Sequence, residues 1–190
     1  MGIISPRKGA DAIVENADAL KRTSDGCLEA LNRFEVFINK LDDEAYVAEP
    51  DGQSSVGKHV RHCMGFFECF FAGLQSGVID YDTRDRDPRI ETDRHFALER
   101  IRRFKAVLSD LAAKELPEHL LAGEMPSPHS RCVPVPTCVP RELLFLASHS
   151  VHHLAMMLLL ADLLGHSAPT ELGLAFSTQV YREAMEKDEQ

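Results

Sequence analysis

At 190 residues with 44% hydrophobic content, the chain is long enough to bury one substantial core and short for two, so a single domain over residues 1–190 is expected. Lys plus Arg total 21 against 30 for Asp plus Glu, giving a formal charge of -9 and a pI near 5.4. That balance repels a phosphate backbone and argues against nucleic acid as a partner.

Five cysteines, Cys27, Cys63, Cys69, Cys132 and Cys138, form no CxxC pair, and their odd number does not complete an intramolecular disulfide framework. A reducing compartment, the cytoplasm, is the expected location. The start, MGIISPRKGADAIVENADAL, lacks a basic stretch followed by a secretory apolar core, and Pro6 stands where a myristoylation signal wants Ser or Thr.

From about Ala10 to Leu41, Ile13, Ala17, Leu20, Leu28, Leu31, Phe34, Ile38 and Leu41 recur mostly at spacings of three or four, which predicts a first helix. Ser24, Asp25 and Gly26 mark a kink or break within it. AEPDGQ at 48 to 53 reads as a turn, and Ser54 or Ser55 is placed to cap a second helix. That helix carries Val56, Val60, Cys63, Phe67, Phe70, Phe71 and Leu74 on one arc and stops near Gly77.

VIDYDTRDRDPRIE reads as a polar linker, its Asp80, Tyr81, Asp82, Arg84, Asp85, Arg86 and Asp87 forming solvated ion pairs or a rim for a charged substrate. A third helix is expected from about Thr92 to Glu115. Between Pro117 and Pro140 the chain is rich in Pro and Ser, and CVPVPTCVP suggests extended backbone or a small hairpin. A fourth helix follows from about Cys138 to Leu164, with Pro140 in its first turn.

Its apolar run holds His149, His152, His153 and Asp162, which suits a buried helix and not a lipid-exposed span, so no membrane partner is expected. A short helix from about Ser177 to Met185 closes the chain. Four long helices and a short fifth favour an all-α four-helix bundle.

In SHSVHHLAMM, His149 and His153 are four residues apart and share a helix face, where they can chelate one ion of Zn, Ni, Fe or Cu with help from another element. His152 points about 100° away. The second helix, GKHVRHCMGF, supplies His59 and His62 amid apolar neighbours; periodicity leaves both open and slightly favours His59. Glu142, two turns before His149, is a candidate base or ligand-orienting carboxylate. Cys69, seven residues after His62, could share the cavity or simply fill core, and Met156 and Met157 read as core filling.

SVGKHVRHCMGFF resembles the second-helix motif of the DinB/YfiT-like family, with its Ser-apolar-Gly start and a metal-binding histidine at the position of His62. The family's later HxxxH pair matches His149 and His153. The resemblance implies a DinB-like bundle with a short C-terminal fifth helix and a divalent metal held by His62, His149 and His153, Zn first and Ni or Fe as alternatives. It implies open positions for a small-molecule substrate, and thiol-dependent S-transferase or isomerase chemistry with a low-molecular-weight thiol as cosubstrate. A metal-dependent hydrolase, or a non-catalytic stress-related metal-binding bundle, would use the same histidines, and homodimers are common in such proteins. The segment from Pro117 to Pro140 is an insertion relative to compact members.

Overall fold

The computed structural model describes residues 9–188. The elements run α1 (Gly9–Ile38), α2 (Asp43–Val47), α3 (Val56–Ser76), β1 (Val78–Asp80), α4 (Pro88–Thr92), α5 (Arg94–Ser109), β2 (Leu120–Glu124), β3 (Val133–Thr137), α6 (Val139–Leu163) and α7 (Phe176–Asp188). The long helices α1, α3, α5 and α6 form the bundle, with α1 against α5 and α6, and α3 against both. The reading of residues 1 to 8 as free of an export or acylation signal lies outside the described residues.

Local chemistry accounts for the helix limits. Ser55 caps α3 by accepting a hydrogen bond from the Lys58 amide at 3.2 Å, and Gly77 ends it in the left-handed region at φ 80°. Asp93 caps α5 through the Phe96 amide. Pro140 lies in the first turn of α6.

Three expectations need correction. No break occurs at Ser24–Gly26: α1 continues because its flanking residues Cys27, Ala30, Leu31 and Phe34 are fully buried, and packing outweighs the roughly 1 kcal/mol cost of one helical glycine. The linker after Gly77 is not wholly irregular, since Val78–Asp80 adds a strand and Pro88–Thr92 a helical turn capped by Asp87. The first helix ends at Ile38, and Asp42 starts the separate α2 by accepting from the Ala45 amide.

The expected hairpin is present as β2 and β3, paired antiparallel, and β1 joins β2 in parallel to make a three-stranded sheet in the order β1-β2-β3. Pro134 and Pro136 fall on β3, an edge strand, where a missing amide is tolerated.

The core is aromatic at its centre. Phe34, Phe37, Phe67 and Phe70 are fully buried, and Phe67 stacks on Phe104 of α5 at 5.8 Å. Helix α6 is long and apolar enough to cross a membrane by length and composition, yet here it packs against α1 and α3. Buried Arg33 ties the C-terminal part to α1, donating to the carbonyls of Leu172 and Leu174 and to Gln179 Oε1.

Gly57 explains why a glycine follows the cap of α3. A Cβ there would overlap the backbone carbonyl of Glu91 and crowd Tyr46, whose hydroxyl donates to Ile90 O at 2.6 Å. The start of α3 is thereby pressed against α4 with no room for a methyl group. Gly57→Ala should cost about 1–3 kcal/mol through overpacking and lower the melting temperature by several degrees in a thermal scan. A variant melting with the wild type would show that this contact yields freely.

Candidate metal centre

Helix α3 carries His59 and His62, and α6 carries His149 and His153. Because the two helices pack together, side chains 87 and 94 positions apart in sequence touch. His62 Nε2 lies 3.1 Å from His149 Nε2, and the ring of His153 is 4.6 Å from that of His62 and 4.5 Å from that of His149, centre to centre. One nitrogen from each of these three residues falls within 4.8 Å of the others. All three rings are half-buried, so the cluster reaches solvent on one side.

The donor set fits a transition metal. Nitrogens sharing one ion at the usual zinc–nitrogen distance of about 2.0–2.1 Å sit roughly 3.0–3.4 Å apart. The His62–His149 pair already has that spacing. The second helix-three histidine has a different place: His59 Nδ1 meets His153 Nδ1 at 2.9 Å, which leaves His153 Nε2 for an ion. His152 is exposed and lines a separate cavity with α1 and the segment before α7.

Burial keeps these imidazoles neutral. Loss of solvent, then the neighbouring His149 and Arg84, holds His62 down to about 4; loss of solvent, then His152 and Arg84, does the same for His149. His153 is lowered to about 3, by desolvation first and then by the surrounding histidines, and His59 is lowered by desolvation. Neutral imidazole is the form that ligates a metal.

Aromatic rings enclose one side. Phe66 lies 4.5 Å from His149 and 5.0 Å from His62, and it also meets Tyr81 and Phe145. Beyond Phe145 and Tyr81 is a cavity of about 490 Å³ whose far wall is the β2–β3 hairpin. Glu142 lines that cavity and is almost completely buried. Its Oε2 accepts from the Tyr81 hydroxyl at 2.7 Å, and its Oε1 accepts from Thr137 at 2.5 Å and Arg141 at 3.0 Å. Its hydrogen-bond partners are therefore these three side chains, none of them an imidazole.

Cys69 does not join the cluster. Its thiol lies 3.6 Å from Thr83 O, and burial pushes its pKa up to about 11. Met157 is core, whereas Met156 is partly exposed. Sequence reading missed Tyr81 and Thr137 as partners of Glu142, because both come from the strand and loop segments whose pairing no helical period reveals. It also missed a group made by Asp80, Asp82 and Cys132, which the sheet brings within 4.8 Å of one another.

Comparison with known proteins agrees with this architecture. The family model of the DinB superfamily matches residues 28–157, spanning all four histidines of the cluster. The chain belongs to the DinB superfamily. It is also 32% identical over 102 residues to FK506-binding protein 5 of Rhizopus delemar, a match covering 53% of this chain and 26% of that protein. The chain thus matches about a quarter of that relative's length. No solved structure matches it.

The lowered histidine pKa values carry a pH signature. The unfolded chain takes up protons on these residues near pH 6.5, whereas the folded metal-free chain resists until about pH 4. The contribution of these neutral histidines to stability is therefore fully present above about pH 6.5 and declines as pH falls through that window, where the unfolded state binds more protons. Urea midpoints of metal-free protein should drop between about pH 7.5 and about pH 4.5, and more steeply than those of a His62→Leu, His153→Leu variant. Parallel slopes for the two proteins would contradict it.

Proposed function

We propose that His62, His149 and His153 hold one divalent transition metal, zinc first, and that the protein is a metal-dependent enzyme acting on a small molecule. The observation that carries this reading is the convergence of three neutral, solvent-reaching imidazoles from two helices, their donor atoms within 4.8 Å of one another and those of His62 and His149 at 3.1 Å. Three protein ligands leave further positions for water or substrate, as catalytic sites require and closed structural sites do not. Such an ion supplies Lewis acidity, lowering the pKa of water or of a thiol that reaches it.

The protein's own residues do the rest. His59, paired to Nδ1 of His153, orients that ring and fixes which nitrogen is available, the usual outer partner of a metal-bound histidine. His59 is thus a positioning residue and not a substitute for His62. The aromatic wall of Phe66, Tyr81 and Phe145 excludes water from one side and offers flat apolar surface to a substrate. Glu142 is proposed as the proton-accepting group for a substrate seated in the adjoining cavity, its carboxylate aligned by Tyr81, Thr137 and Arg141.

Within this class we favour thiol-dependent S-transfer or isomerisation, with a low-molecular-weight thiol as cosubstrate. Cys27, Cys63 and Cys69 are buried with raised pKa values, so the reactive sulfur is expected from a cosubstrate and not from these side chains. Work in the cytoplasm, where such thiols stay reduced, fits this chemistry.

Elemental analysis of untagged protein should find about one metal per chain, and His149→Ala with His153→Ala should remove it. Metal below a tenth of an equivalent, or unchanged by the double substitution, would sink the proposal. Metal-loaded protein should then turn over electrophilic acceptors with a small thiol, with Glu142→Gln lowering turnover on the order of a hundredfold at unchanged metal content. No metal-dependent turnover with any thiol and acceptor would favour the hydrolase or the non-catalytic binding protein.

A further inference from the structure

The loop between β1 and α4 is crowded with charge, and the carboxylates at its two ends, Asp80 and Asp87, have partners. Asp87 accepts three hydrogen bonds from Arg89, two from its guanidinium and one from its amide, and lies 3.6 Å from Arg100, Arg100 also pairs with Glu68, and Asp80 accepts from the Asp82 amide and the Thr83 hydroxyl. Arg84 is the exception. It is partly buried, and among the described residues no carboxylate comes within ion-pairing distance of it, although Asp80, Asp82, Asp85 and Asp87 share its loop.

Its side chain instead turns toward the histidines. The stem runs over Gly65 of α3, where a Cβ would stand only 3.1 Å from Arg84 Cδ, so the absence of a side chain at 65 makes the seat. The guanidinium carbon lies 4.7 Å over the ring of Phe66, the ring that itself contacts His62 and His149. Stacking engages the face of a guanidinium and leaves its N–H edge available, a fork that matches a carboxylate. Leaving a cation unpaired beside a site for a second cation is electrostatically unfavourable, and an anionic ligand would offset both charges.

We propose that Arg84 binds a carboxylate of the substrate, so that the molecule acted on at the histidine site carries a carboxylate about one ring's width from its reacting atom. This rests on the metal reading above. Arg84 is then a specificity-determining residue: it selects and orients an anionic substrate, and the aromatic ring beneath it fixes the direction of the fork. Asp80 and Asp87 are held on other partners, and among the described residues no carboxylate pairs with Arg84, which leaves its fork open to an external one.

The test uses cobalt-loaded protein, whose visible absorbance reports metal loading and thiolate ligation. Binding of 3-mercaptopropionate and of its methyl ester is titrated at one pH in wild type, Arg84→Gln, Arg84→Lys and Gly65→Ala. The acid-to-ester affinity ratio should fall by about tenfold or more in Arg84→Gln, fall less in Arg84→Lys, and fall in Gly65→Ala because the stem is displaced. Cobalt loading should stay unchanged in all three variants. A ratio that does not change in Arg84→Gln, with normal loading, overturns this inference and leaves the metal reading standing. Failure of the wild type to load cobalt, or loading that survives loss of His149 and His153, overturns the metal reading and this inference with it.

Discussion

The close pairing of α3 with α6 is the constraint on which the rest of the molecule depends. Four imidazoles lie at that seam, and a half-buried imidazole needs a partner for each ring nitrogen it withdraws from water. The histidines supply partners to one another, His62 to His149 and His59 to His153, and so reconcile a polar cluster with an apolar interface. Gly57 and Ser55 set where α3 begins and how near α4 it runs, which fixes the height at which His59 and His62 face α6.

The second organising element is the small sheet, which has little core of its own. Its β3 strand carries Thr137, and the residue after β1 is Tyr81; both reach Glu142 in the first turn of α6. A single buried carboxylate thereby ties the hairpin and the loop after α3 to the helix that bears two of the histidines. Removing it would leave the hydroxyls of Tyr81 and Thr137 without their acceptor in a confined space, so Glu142 has a structural reason to be present beside any chemical one. The cavity between hairpin and helix is lined by the same Tyr81, Thr137 and Glu142, with Phe145.

Much of the helical framework was legible because helices announce themselves locally. Ser55, Gly77 and Pro140 mark boundaries by their own backbone chemistry, and the apolar arc of Val60, Phe67 and Phe70 needs no knowledge of a partner. The His149 and His153 pair was visible for the same reason, being one turn apart. What joined His62 to them was a resemblance, since a helical wheel holds no information about which α3 face meets α6. In the structure the two α3 histidines make different contacts across the seam: His62 meets His149, while His59 meets Nδ1 of His153. The strand β1 and the α4 turn escaped because three and five residues are too short for a period, and β1 is specified by its parallel partner 43 residues away in β2. Ser24–Gly26 misled in the opposite direction, since a local break signal was overruled by burial on both sides of it.

Electrostatics at the site run against the character of the whole chain. The molecule is acidic, with a formal charge of -9, yet aromatic rings and Arg84 lie beside the imidazoles, and among the described residues no carboxylate joins the histidine cluster. A dication held by three neutral histidines would keep its full charge, because none of those ligands is an anion. That favours a ligand which brings its own negative charge, such as a thiolate, a hydroxide or a carboxylate, over a neutral one. In the loop after β1, Asp87 is held on Arg89, and Asp80 on the Asp82 amide and the Thr83 hydroxyl.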